Sequence, residues 1–214
     1  RINVHPEIQN NLVIDNDTVC FNTSPGTLTA PVQLNGGLGD GTYNYKWIQS
    51  NDLISFNDAT DTNDEHDYTT PQLIDTTYYQ RIASSGQCVD TSNLITITVL
   101  NNISNNLIAE DQIICNNQTP DPLTGPIPDG GLNIPAEKRY QWQSRSDGSW
   151  NDQSITQNYA PPALPENTYE YRRIVYSGNQ NECIDTSNIV TIESLPDINQ
   201  NEILNTDSTI CAGL

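Results

Sequence analysis

The sequence predicts an all-β protein built as tandem antiparallel β-sandwiches of about 95 residues, joined end to end. Three observations carry this. A ten-residue block, CVDTSNLITI at 88–97, returns as CIDTSNIVTI at 183–192, an offset of 95 residues. The same offset separates Trp47 from Trp142, Cys20 from Cys115, and each of Ile8, Ile103 and Ile198 from the next. Agreement at unrelated residue types means an internal repeat. Within each repeat the apolar residues alternate with polar ones, and no stretch carries the spacing of an amphipathic helix.

The repeat divides the chain into units at 8–102 and 103–197. Residues 1–7 then read as the last strand of a preceding repeat, because RINV aligns with Thr96–Val99 and Thr191–Ser194. Residues 198–214 read as the start of a following one, with Thr209-Ile210-Cys211 matching Ile113-Ile114-Cys115. On this reading the chain opens and closes inside a longer array.

Each unit runs through the same elements. YNYKW (43–47) and RYQWQ (139–143) are strands that place Tyr43, Tyr45 and Trp47, or Tyr140 and Trp142, on one face. A glycine turn precedes each: Asn35-Gly36-Gly37 and Asp129-Gly130-Gly131. A second aromatic follows, Phe56 or Trp150, and Asp147-Gly148 marks a hairpin. Tyr68 to Pro71 and Tyr159 to Pro162 suit an edge, since proline cannot donate to a ladder. The longest strands are expected over 76–84 and 168–177, with Tyr79, Arg81 and Ala83, or Tyr171, Arg173 and Val175, on one face. SNLITITV (92–99) and SNIVTIES (187–194) close the units on Ile95 and Ile97, or Val190 and Ile192. The linkers HPEIQNNLVIDND (5–17), LNNISNNLIAED (100–111) and LPDINQNEILNTD (195–207) each carry an isoleucine at a fixed place, which fits a defined junction and not a flexible tether.

Composition excludes several functions. The formal charge is −19, from 8 basic and 27 acidic residues. Nucleic acid and anionic lipid both need a basic footprint. No apolar run approaches the roughly 20 residues of a membrane span, so no direct membrane insertion is expected. The only histidines, His5 and His66, have no counterpart in the second unit, and nothing in the chain suggests a catalytic triad or dyad. The expected function is not enzymatic, and no catalytic residues are assigned.

Cysteine spacing is regular. Cys20 and Cys88 are 68 residues apart, and so are Cys115 and Cys183. One pair per unit reads as one disulfide inside each unit, Cys20–Cys88 and Cys115–Cys183, and hence as an oxidising, extracytoplasmic location. Zinc is the competing reading, but two cysteines without histidine or C-x-x-C spacing make a poor site. Cys211 falls in the truncated third unit without its partner.

The ordered motifs T-[IV]-C, Y-x-W, Y-x-x-P, T-Y-x-x-R-I and C-x-D-T-S-N-x-x-T-I resemble the immunoglobulin-like repeats of very large secreted surface adhesins of gliding bacteria. These include the gliding-motility adhesins exported by type IX secretion. The residues carrying the resemblance are Cys20, Pro25, Leu28, Trp47, Phe56, Tyr68, Pro71, Tyr79, Arg81, Cys88 and Asn93 in the first unit. In the second they are Cys115, Pro120, Leu123, Trp142, Trp150, Tyr159, Pro162, Tyr171, Arg173, Cys183 and Asn188. The resemblance implies an extracellular stalk or filament at the cell surface, serving attachment or gliding motility. It implies neighbouring repeats of the same chain as partners, with surface polysaccharide or other cell-surface proteins as candidates. The alternative reading is a carbohydrate-binding array, with Trp150 and Phe56 as exposed platforms.

Other candidate sites are weaker. DATDTNDEHD (58–67) offers Asp58, Asp61, Asn63, Glu65 and Asp67 as oxygen ligands for calcium, though it lacks the glycine and terminal glutamate of an EF-hand loop. No other cofactor is expected. Asp15, Asp17, Glu110 and Asp111 recur near the unit boundaries and offer a second place for a cation. Thr18, Thr76 and Ser208 resemble Asp-Ser/Thr O-glycosylation sites of such bacteria. Arg81 and Arg173, repeated mid-strand beside tyrosines, read as structural, with the guanidinium stacked on an aromatic ring.

Overall fold

The computed structural model describes residues 2–202 apart from 15, 133, 135 and 136. Every regular element in it is a strand or a turn, apart from a single 3₁₀ residue at Glu137. The first unit is β1 (Asp17–Cys20), β2 (Thr27–Leu28), β3 (Asn44–Ser50), β4 (Asn57–Asp58), β5 (Tyr68–Thr69), β6 (Thr77–Ser85), β7 (Cys88–Thr91) and β8 (Ile95–Ser104). The second is β9 (Gln112–Cys115), β10 (Asp129–Gly131), β11 (Arg139–Arg145), β12 (Asn151–Ser154), β13 (Asn167–Ser177), β14 (Cys183–Thr186) and β15 (Val190–Leu195).

The main sheet of unit one runs β1-β8-β6-β3-β4 and that of unit two β12-β11-β13-β15-β9. The facing layer is thin: β2 pairs β5, extended by a bridge from Thr23 to Leu73. In unit two it reduces to the bridges Gln118–Leu164 and Leu123–Tyr159. Both proline-marked segments therefore lie in this thin layer. One pairing in each unit differs from the antiparallel expectation. β1 runs parallel to β8, and β9 parallel to β15. A parallel pair cannot be joined by a hairpin, and here the rest of the unit forms the crossover.

Alternation decides which face is buried. Along β6 every second residue is buried, from Thr77 through Tyr79, Arg81 and Ala83 to Ser85. Trp47 is enclosed with Tyr68, Tyr79, Ile95 and Ile97, and Trp142 with Leu123, Tyr171, Val190 and Ile192. Each indole N–H donates to a backbone carbonyl, Trp47 to Glu65 at 3.0 Å and Trp142 to Thr156 at 2.9 Å. That hydrogen bond removes the penalty of burying the one polar atom of the ring.

Arg81 and Arg173 are fully buried beside these rings. Arg81 stacks on Tyr45 at 4.9 Å and Arg173 on Tyr140 at 5.4 Å. Arg81 Nε donates to Asn11 Oδ1 at 3.0 Å, and Arg173 Nε to Asn106 Oδ1 at 2.9 Å. Each Asn returns its amide N–H groups to the carbonyls of Arg81 and Asp90, or of Arg173 and Asp185. Burial lowers both guanidinium pKa values from the ordinary arginine range, and the neighbouring tyrosines oppose that. The motif pins the linker that enters each unit onto its sheet.

Candidate functional site: the junction between the units

The longest strand of unit one does not stop at its boundary. β8 continues through Leu100 to Ser104, and β10 of unit two pairs with its far end, Asp129 with Ser104 and Gly131 with Asn101. One strand thus belongs to both units. Gly130 has a positive φ of 75°, and a Cβ built on it would lie 1.9 Å from the carbonyl oxygen of Asn102. Glycine is required there for both backbone reasons. In unit one Gly36 meets the carbonyl oxygen of Glu7 in the same way, also at 1.9 Å.

An apolar cluster fills the junction: Leu100 and Ile103 from β8, Val175 from β13, with Leu132 and Tyr140 against them. At its centre is a disulfide between Cys20 and Cys183, with Cα atoms 5.1 Å apart. Cys183 Sγ lies 3.6 Å from the carbonyl oxygen of Asn101, and Cys20 Sγ 3.4 Å from Asn102 Oδ1. The expected pairings, Cys20–Cys88 and Cys115–Cys183, do not form.

Strand direction explains the correction. Asp17 and Thr77 both stand opposite Ile97. From that level β1 runs three residues one way to Cys20, and β6 runs eight residues the other way to Ser85, which pairs Cys88. At about 3.3 Å per residue the two cysteines are about 35 Å apart, far beyond the Cα separation of roughly 4.4–6.8 Å that a disulfide tolerates. Cys20, the first cysteine of unit one, therefore faces unit two, and Cys183, the second cysteine of unit two, faces unit one. Cys88 is half-buried and Cys115 exposed, and both carry free thiols. Cys211 lies outside the described residues.

The remaining candidates are dispersed. Asp58 pairs with Lys46 at 2.7 Å, and Asp67 accepts from Ala30 N and contacts His66. Asn63 donates to the carbonyl of Ala59. Glu65 contributes its backbone carbonyl to Trp47, and Asp61 adopts a positive φ of 58°. Among the described residues no three carboxylate, histidine or cysteine side chains converge as a metal site. At the boundaries, Asp111 accepts from Thr191 N and Asp17 from Thr18 N, while Asp15 lies outside the described residues. Thr76 Oγ1 accepts from Val99 N, Thr18 is half-buried in β1, and Ser208 lies outside the described residues. Trp150 is half-buried, with the guanidiniums of Arg145 and Arg172 at 4.6 and 4.2 Å from its ring centre. Phe56 is half-buried too.

A family model described as "Domain of unknown function (DUF8696)" matches residues 9–101 and again residues 104–196. The chain belongs to the DUF8696 family. The two DUF8696 domains are related to each other by the same 95-residue step read from the motifs. No curated protein sequence matches the chain. Among solved structures, three N-terminal domains of the highly immunogenic outer capsid protein (Hoc) of bacteriophage RB49 match with a TM-score of 0.51 and 11% identity, covering 90% of this chain and 70% of that one. Domains A168–A170 of titin match with a TM-score of 0.53 and 11% identity, over 91% and 67%. The insect immune protein hemolin matches more loosely, with a TM-score of 0.43 and 13% identity over 93% of this chain, which spans about half (52%) of hemolin's length. At such identities the likeness to the Hoc and titin domains concerns fold: this chain is two immunoglobulin-like β-sandwiches in tandem.

Proposed function

We propose that this chain is a structural and adhesive segment of a long cell-surface adhesin or filament, serving surface attachment or gliding motility. The observation that carries the reading is the Cys20–Cys183 bond across the junction, together with the strand that both units share. The covalent link lies between domains, the place where it would resist tension and bending. A disulfide fits an oxidising, extracytoplasmic compartment, and the charge of −19 keeps a repetitive surface chain self-repelling. No helix of the described residues is long and apolar enough to cross a membrane.

The resemblance of the repeats to gliding-bacterial adhesins supplies the attachment or motility role, with other surface proteins or polysaccharide as the contacts. Antibodies raised to residues 1–214 should label intact, unpermeabilised cells, and their Fab fragments should reduce attachment or gliding. Absence of label on intact cells would sink the surface assignment. Labelling without any effect of Fab on attachment or gliding would sink the adhesive one. Selective, saturable capture of one glycan on an array would favour the carbohydrate-binding alternative.

A further inference from the structure

The far end of unit two repeats the surface that unit one buries in the junction. Leu100 is 7% exposed and its counterpart Leu195 is 40%; Ile103 is 8% exposed and its counterpart Ile198 is 88%. Cys20 is buried under unit two, whereas Cys115 is exposed. The backbone beneath is the same. Cys20 stands opposite Leu100 on a parallel strand, and Cys115 stands opposite Leu195 on another.

The near end of unit one repeats the partner surface. Cys88 Sγ lies 3.8 Å from the carbonyl oxygen of Pro6, as Cys183 Sγ lies 3.6 Å from that of Asn101, one period of 95 residues later. Cys88 packs against Ile8, Leu34 and Ala83 with Tyr43 and Tyr45 beside them. Cys183 packs against Ile103 and Val175 with Leu132 and Tyr140.

We propose that the inter-unit disulfide recurs at every junction of the array. Cys115 bonds the second cysteine of a further copy of this repeat, carried later on the same chain and seated on Leu195 and Ile198. Cys88 bonds the first cysteine of a copy carried earlier. The occupant is a repeat of this kind because the surface offered is the one already covered by such a repeat in the same molecule. It lies on the same chain because the linker that leaves β15 reproduces the Ile and Asn positions, Ile198 and Asn201 after Ile103 and Asn106, by which the preceding linker enters unit two. Each bond forms from two thiols with loss of two protons and two electrons. A disulfide oxidant accepts them and becomes two thiols, by exchange through a mixed disulfide. The result is a string in which reduction of any one bond frees one joint alone.

The inference rests on the chain being a repeat array, and its test does not depend on adhesion. The protein carrying this segment, isolated from its source with free thiols alkylated first, is digested without reductant and its linked peptides are sequenced. The peptide holding Cys115 should be joined to one from outside residues 1–214, through a cysteine followed by a D-T-S-N-like stretch. Cys20 should be joined to Cys183. Cys115 joined to Cys183 or Cys88, or found alkylated, overturns the proposal. The second measurement uses residues 1–214 alone, refolded in glutathione buffer. There Cys88 and Cys115 should each take one alkyl group while Cys20–Cys183 resists, and the C88S/C115S variant should retain that bond. A bond from Cys115 to Cys88 within the monomer overturns it as well.

Discussion

At the scale of single residues, each unit is held by one indole and one buried guanidinium. Trp142 is wholly enclosed, and Trp142→Ala should cost on the order of 3–5 kcal/mol. That is a large share of the roughly 5–15 kcal/mol available to a whole domain, so urea denaturation followed at unit two should show its transition lost or moved far down. A transition at the wild-type midpoint would mean the ring contributes little. Asn106 is less conspicuous and equally informative. It accepts from Arg173 Nε and donates to the carbonyls of Arg173 and Asp185. Removing its amide leaves a buried charged donor without its acceptor, a loss of about 3 kcal/mol. Asn106→Ala should therefore lower the melting temperature of unit two, while Ser104→Ala, at an exposed neighbour, should change it far less. Asn11, Asn106 and Asn201 recur at 95-residue steps, so the periodicity marked these positions. Nothing in an exposed-looking Asn-Asn linker revealed that one of the two reaches a buried arginine.

At the scale of elements, the test lies in the glycine turn that became β10. Gly130 and Gly148 both have positive φ, yet a Cβ on Gly148 would meet nothing within 4 Å. Gly148→Ala should cost only the roughly 1–2 kcal/mol of a left-handed backbone. Gly130→Ala adds a clash with the Asn102 carbonyl and should cost clearly more, with faster amide hydrogen exchange at the β8–β10 pairs. Equal costs for the two would show that β10 does not need its close approach to β8. Much of the element plan was readable beforehand. The alternation of TTYYQRIAS and SNLITITV gives the faces of β6 and β8 correctly, because one buried face imposes a period of two. The cysteine partners were not readable. A spacing of 68 within a unit and of 163 between units satisfies the same repeat equally well. Only the direction of β1 and the hairpin β6–β7 separates them, and a parallel β1–β8 pair has no local sequence signature. The tryptophan in the loop was ambiguous for a related reason: Trp150 lies under two arginines that arrive from different strands, β11 and β13.

At the scale of the whole molecule, the question is how firmly one unit holds the next. Three things join them: the continuous β8, the small apolar cluster around Ile103, and the disulfide. The cluster holds five side chains besides the two cysteines, far fewer than the roughly 20–30 residues a side of a standard stable interface. The β8–β10 pairing is short and interrupted by a register shift between Asp129 and Gly131. A hinge held only by these would sample many angles. The disulfide changes that geometrically, because Cys20 sits at the end of β1 and Cys183 next to Ser177 at the end of β13. It fixes a second strand of unit one to unit two beside the covalent passage of β8, and two attachment points block most bending directions where one does not. Small-angle scattering of residues 1–214 should therefore fit a narrow distribution of maximum dimension in the oxidised protein. The C20S/C183S variant, with each unit still folded by circular dichroism, should give a broader distribution. Identical narrow curves for the two proteins would assign the stiffness to the shared strand and leave the bond without a mechanical role.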